Sequence, residues 1–352
     1  MHKQKKNLAM LVVGLLTAAP LPAQAQADSG AKADRVLLVV SGHGADAGKT
    51  RPGFEMDELS QAYAVFADNG LTVDIASPAG GVVVADGFDP KKPYNSRFIA
   101  DPAAQAKFAS TLSLASARSE RYAAVFIIGG KGAMFDLPVN IDLKTLLAQT
   151  YEAGGVIGAV CHGPAALMNV PLKDGKSLIS GRAVTGFSNE EELLFGKRWA
   201  AAFPVLLEDG LRGAGAQFSE APMMLSHVVS DNRIVTGQNP YSTSDAAEAV
   251  VRAMGRKLAP REPFTDERSI ALIGRMLAGD VPGARQSLKA NTAQYDVPLI
   301  AAWGLYRSKT PGADRKMIEG AITAMEVALP HYDEPQLVAA IAEARAKLAK
   351  AQ

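Results

Sequence analysis

The sequence predicts an α/β fold, a doubly wound and mostly parallel sheet with an all-helical C-terminal appendage. Three observations predict it. Short β-branched apolar runs, "DRVLLVVSG" at 34–42 and "YAAVFIIGG" at 122–130 among them, lack alternating polar positions, as strands covered on both faces do. Segments with helical spacing separate these runs, so strand and helix alternate as far as Gly255. After Gly255 no strand-like run remains.

The elements follow in order. After the first strand, "MDELSQAYAVFADNG" (56–70) places Leu59, Tyr63 and Phe66 at helical spacing and stops at Asn69-Gly70. "LTVDIASPAGG" is a second strand ending in a turn, "VVVA" (82–85) a short extra strand, and 102–116 a helical segment. The strand at 122–130 is the strongest in the chain; "NIDLKTLLAQTYEAGG" is a helix, and "VIGAV" (156–160) is a buried strand running into Cys161. "AVTGF", "HVVSD" and "RIVTG" read as strands, and "TSDAAEAVVRAMG" as the helix that closes an α/β domain over 34–255. Residues 256–264, with two prolines, are a linker, and 265–352 carry helical patterns divided by Pro/Gly turns. In the last of these, Leu337, Ile341 and Leu348 share a face. The linker implies that 34–255 folds without the appendage.

The first 27 residues stand apart. Lys3, Lys5 and Lys6 precede an apolar run at 8–16, Pro20 and Pro22 break it, and "AQAQA" offers small residues for cleavage after Ala25 or Ala27. This is the pattern of a secretory signal peptide. The run falls short of the roughly 20 residues of a membrane span, so no stable membrane insertion is expected after cleavage. The reading is an exported protein, periplasmic or secreted.

Composition bounds the function. Hydrophobic residues make up 48% and charged residues 21%, an ordinary globular balance. Without the leader, which holds three lysines and no acids, 34 bases face 36 acids and no basic run survives. That argues against nucleic acid as a partner. No set of His, Cys, Asp or Glu has convincing metal-ligand spacing, and no GxGxxG or P-loop occurs. Neither a metal nor another cofactor is expected.

"GAVCHGPAAL" (158–167) holds the one cysteine of the chain. A lone cysteine makes no internal disulfide; it is a buried small hydrophobe or a thiol kept for chemistry. Reactive groups in open α/β sheets collect at the carboxyl ends of strands. Glu58 after the first strand, Gly129-Gly130 after the strongest and Cys161 after "VIGAV" all fall there. A thiol at a strand-to-helix turn is expected near a helix N-terminus, which favours the thiolate. Ala159 and Gly163 leave room for a sharp elbow, and His162 is placed to exchange protons. His43, in "SGHGADAG", reads either as a pocket residue or as a plain loop residue.

"IIGGKGAMFDLPVN", "GVIGAVCHGPAAL" and "VTGFSNEEE" together resemble the ThiJ/PfpI superfamily, which has a class I glutamine amidotransferase-like fold and includes the parkinsonism-associated protein deglycase. The resemblance is nearest its heat-shock glyoxalase III and chaperone branch and runs from about Arg35 to Gly255. It implies that Cys161 is the elbow nucleophile, His162 its neighbouring histidine and Glu58 the carboxyl held against the sulfur. Glu192 best matches the acid that orients the histidine, with Glu190 and Glu191 as alternatives in register. Gly129 and Gly130 are placed for substrate or oxyanion binding, with the backbone N–H of His162 as a second oxyanion donor, and His43 joins them only on its pocket reading.

The resemblance implies a cofactor-free, glutathione-independent glyoxalase III-like lyase (methylglyoxal to lactate) or a protein deglycase. The partner is then a small aldehyde or a glycated protein, and a homodimer is one compatible assembly. A cysteine amidase or peptidase is the alternative, although Val229 in "SHVVSD" stands where a glutamine amidotransferase keeps an acid. A holdase chaperone using the helical appendage is the non-enzymatic alternative, which a Cys161 variant separates from both enzymes.

Overall fold

The strand predicted first is observed at Arg35–Val39 (β1), the start of a seven-stranded sheet. The computed structural model describes residues 34–350, and the signal peptide expected over 1–27 lies outside the described residues. The sheet continues with Thr72–Ser77 (β2), Leu112–Ser113 (β3), Ala124–Ile127 (β4) and Val156–Val160 (β5). After a separate pair, Ala183–Val184 (β6) and Gln217–Phe218 (β7), come Val228–Asp231 (β8) and Ile234–Gly237 (β9). Strand order is β3-β2-β1-β4-β5-β9-β8, parallel throughout except for the antiparallel edge β8–β9. Every residue of β4 and β5 is buried, as the unbroken apolar runs require.

Helices cover both faces of this sheet. Met56–Asp68 (α1), Ile141–Glu152 (α2) and Thr243–Ala253 (α4) carry most of that packing, helped by shorter turns, and Asn189–Phe195 (α3) lies between α2 and α4 in the chain. Five further helices follow the linker: Thr265–Leu277 (α5), Val281–Ala290 (α6), Val297–Lys309 (α7), Arg315–Ala328 (α8) and Pro335–Lys350 (α9). They bury a core around Ile273, Ile300, Trp303 and Met325, which also takes in Met223 and Met224 from the α/β part. Trp303 Nε1 donates to the Met223 carbonyl at 3.0 Å, and Tyr94 Oη donates to Asp266 at 2.9 Å. The appendage therefore docks closely on the α/β part.

Three expectations are corrected. "VVVA" is no strand: Gly80 and Gly81, both at positive φ, turn the chain away from the sheet edge, Val82 is 83% exposed, and only Ala85 forms an isolated bridge, to Phe54. The segment 102–116 is one helix at Pro102–Ala109, then β3, then a short helix at Leu114–Ala117. Asp101 caps the first of these through the Ala103 and Ala104 N–H groups, and Pro102 separates it from a helix at Pro93–Ala100. "AVTGF" contributes only β6, paired with β7 outside the main sheet.

Candidate active site

β4 and β5 lie side by side with Ile127 opposite Ala159, so Gly129 emerges next to Cys161. The approach is tight. A Cβ on Gly129 would stand 2.7 Å from Cys161 Cβ and 2.6 Å from the Val160 carbonyl oxygen, so only glycine fits. Cys161 takes φ +58, a left-handed conformation that costs a non-glycine residue about 1–3 kcal/mol. Hydrogen bonds on both sides hold it there, from its own N–H to Gly237 O (3.0 Å) and from Phe187 N–H to its carbonyl (2.9 Å). The chain then enters a five-residue 3₁₀ turn, Gly163–Leu167. The α-helix N-terminus expected to draw the thiol toward thiolate is absent at this turn.

The elbow turns two sequence neighbours toward each other. His162 Nδ1 lies 3.3 Å from Cys161 Sγ, and His162 Nε2 lies 2.9 Å from Glu192 Oε2, with all three side chains buried. A carboxylate on Nε2 holds the ring proton there, leaving the Nδ1 lone pair facing the sulfur. Phe187 stacks on the ring with centroids 4.5 Å apart. Burial lowers the His162 pKa despite the opposing pull of Glu192, so the imidazole is neutral at neutral pH and can accept a proton.

Glu58 sits in the first turn of α1, fully buried. Its Oε2 accepts from the Gly129 N–H at 2.7 Å, while Glu55 N–H donates back to Gly129 O at 3.2 Å, stitching α1 to the end of β4. The carboxyl also interacts with the Cys161 thiol, and its Oε1 has no nitrogen or oxygen partner. Burial raises the Glu58 pKa well above the carboxylate range. Burial pushes the Cys161 thiol up, as does the Glu58 carboxyl once it ionises, against the Gly130 N–H, which donates to the sulfur. Thiol, carboxyl and imidazole thus rest uncharged. The proton must leave the sulfur for His162 Nδ1 as the sulfur attacks.

The acids of "SNEEE" separate because successive helix positions turn by about 100°. Glu190 pairs with Arg307 of α7. Glu191 completes a capping box with Ser188 and accepts from Met224 N–H and Asn239 Nδ2, both at 2.8 Å. Glu192 alone of the three reaches His162. Cys161, His162, Glu58, Glu192, Gly129 and Gly130 are therefore brought together. His43 is not among the cavity-lining residues; its ring stacks on Phe135 at 4.6 Å.

In front of the thiol opens a cavity of about 390 Å³. Gly130, Cys161 and His162 form part of its lining, with two residues that sequence reasoning passed over, Glu55 and Lys131. Burial and the charges of Asp57 and Asp86 raise the Glu55 carboxyl to about 7. Its one sequence signal was a position three residues before Glu58, which also fits an ordinary helix start. Sequence reasoning also missed Leu299, Ala302 and Tyr306, three cavity residues on α7. Among the described residues no group of three or more His, Cys, Asp or Glu is arranged to hold a metal ion.

Comparison with known proteins adds relatives. A family model, the DJ-1/PfpI family, matches residues 50–253. The chain is 33% identical over 222 residues to a glutathione-independent glyoxalase of Schizosaccharomyces pombe, a match covering 57% of this chain and 86% of that protein. It is 37% identical over 136 residues to Glyoxalase 3 of Candida albicans, covering 38% of this chain and 58% of that protein. The crystal structure of glyoxalase III from Candida albicans superposes with a TM-score of 0.56 at 27% identity, over 63% of this chain and 97% of that one. Rapid Encystment Protein 24 KDa of Francisella tularensis superposes with a TM-score of 0.59 at 35% identity, over 63% of this chain and 99% of that one. The family match ends before α5, so all five helices of the appendage lie beyond it.

Proposed function

The chain belongs to the DJ-1/PfpI family, and from that premise we propose that it is a glutathione-independent glyoxalase acting through Cys161 without a cofactor. One observation carries the reading: a buried thiol faces the free nitrogen of a neutral histidine whose other nitrogen is held by a carboxylate. Curated relatives named glutathione-independent glyoxalases support it.

The steps balance without an external oxidant. Cys161 Sγ adds to the aldehyde carbon of a 2-oxoaldehyde as its proton passes to His162 Nδ1, giving a hemithioacetal. A base removes the proton on C1, and reprotonation at C2 through an enediol yields a 2-hydroxy thioester. His162, or the Glu58 carboxyl once ionised, is placed for that transfer. Water cleaves the thioester, releasing the 2-hydroxy acid and regenerating the thiol. The aldehyde carbon is oxidised and the ketone carbon reduced within one molecule.

The wild-type protein incubated with methylglyoxal and no glutathione should form lactate, and Cys161→Ser should form none, because a hydroxyl here stays protonated and poorly nucleophilic. Lactate from Cys161→Ser would overturn the reading. An early aldehyde adduct on a protein side chain offers the same electrophile, so protein deglycation belongs to the proposal, as does a homodimer. So does export: the basic start, apolar run and small residues at 1–27 support cleavage that leaves a mature N-terminus near Gln26 or Asp28. Intact Met1 on protein from the native host, read by mass spectrometry, would remove export.

A further inference from the structure

The cavity is large for the smallest 2-oxoaldehydes. Its volume of about 390 Å³ falls among pockets of ~300–1,000 Å³ that hold drug-sized ligands, and a three-carbon aldehyde fills little of it. The lining also has two characters. Glu55, whose N–H donates to Gly129 O beside Cys161, makes one part polar together with Lys131 and His162. Phe195, Tyr241, Leu299, Ala302 and Tyr306 make another part apolar. The polar pair near that end is satisfied internally, since Asn239 Nδ2 donates to Glu191 Oε1 at 2.8 Å.

Leu299, Ala302 and Tyr306 occupy positions three and four apart on α7, hence one helix face. Tyr306 meets Phe195 of α3 edge-on, ring centroids 5.3 Å apart, which joins the appendage to the α/β part at the cavity wall. α7 is anchored in place by the bond from Trp303 to Met223 and by the Arg307–Glu190 ion pair. α7 itself lies beyond the segment matched by the family model, which ends at residue 253.

We propose that α7 is the specificity wall of the site and that the preferred substrates are 2-oxoaldehydes bearing an aryl or bulky alkyl group. The reactive end lies at Cys161 between His162 and Glu55, and the hydrocarbon rests on Leu299, Ala302 and Tyr306. The inference rests on the glyoxalase reading above for its chemistry, and on the cavity alone for its shape.

The test uses the full chain with phenylglyoxal and methylglyoxal, comparing kcat/KM in wild type, Ala302→Trp and Tyr306→Ala. Filling the apolar end with Trp should lower the phenylglyoxal-to-methylglyoxal ratio by about tenfold or more, the scale at which pockets discriminate small apolar groups. Tyr306→Ala, at an exposed position that tolerates truncation, should lower the same ratio to a smaller extent. A parallel binding readout is protection of Cys161 from iodoacetamide by the two product acids. Mandelate should protect wild type better than lactate, and Ala302→Trp should lose that preference. A ratio unchanged in both variants, or equal protection by the two acids, overturns the wall. Absence of turnover with selective protection intact sinks the glyoxalase reading and leaves the wall standing. Turnover of both aldehydes with an unchanged ratio does the reverse.

Discussion

At Cys161 the backbone and the side chains act on the thiol in different ways. The left-handed elbow at φ +58 is what lets adjacent residues share one reacting centre, while burial and Glu58 hold the proton on sulfur. The sequence made Cys161 and His162 legible through their place after a buried strand. It left Glu190, Glu191 and Glu192 undecided, because only the rotation of α3 tells which carboxyl faces inward. It also anticipated a thiol drawn toward thiolate, and the buried carboxyl reverses that sign. Glu58→Gln tests the reversal. The amide can still accept from Gly129 N–H and donate to the sulfur, but it never ionises, so it brings no charge against a thiolate at the alkaline pH where the wild-type carboxyl has ionised. Iodoacetamide alkylation of Cys161 should therefore shift to lower pH in Glu58→Gln than in wild type, while turnover falls because no acid remains against the sulfur to exchange a proton. A profile displaced to higher pH would mean that Glu58 assists ionisation. Glu192→Gln should lower kcat/KM by roughly 100-fold or more, since an amide nitrogen turned to Nε2 forces the ring proton onto Nδ1. Unchanged kinetics would remove Glu192 from the relay.

Among the elements, α3 and α7 are coupled through a single charge pair. Arg307 and Glu190 are both largely withdrawn from solvent, their side chains 10% and 23% exposed, and Glu190 lies two residues from the acid that orients His162. Arg307→Met should strand the Glu190 carboxylate and cost about 1–3 kcal/mol, lowering Tm, and should reduce turnover as α3 shifts. Glu190→Gln in the same chain should restore most of the Tm, because it removes the stranded charge. Thermal melts of wild type, single and double variants decide it; a double variant no more stable than Arg307→Met would refute the coupling. The strands were legible because two-faced burial leaves unbroken apolar runs. The stretch between Gly80 and Ala117 was misread where prolines and glycines, not periodicity, set the path. The helices of the appendage were legible as helices, but periodicity tells which face is apolar and not which surface it covers. Their contact with Met223 and Met224, and with the cavity, required the fold.

Over the whole molecule, buried acids tie stability to pH. Glu55 and Glu191 are raised to about 7 and Glu58 well above its ordinary value, whereas an unfolded glutamate titrates near 4.3. For a carboxyl whose folded pKa is raised, the folded chain holds a proton that the unfolded chain has released. The stabilisation is full below the unfolded pKa, declines as pH rises above it, and is lost as pH passes through the folded pKa. His162, with its pKa lowered, acts in the opposite sense, but that contribution is complete by about pH 6.5. Tm should accordingly fall between roughly pH 6.5 and 8.5, and Glu191→Gln, which can still accept from Met224 N–H and Asn239, should flatten the fall. A wild-type Tm equal or higher at the upper pH would contradict the buried-acid account. The covering of the site by α7 has a separate consequence. Elbow and wall are stretches of one polypeptide, so the pocket is complete at any dilution. Selectivity should not drift as the protein concentration is lowered toward that of a single copy, because no encounter between molecules is needed to finish the site.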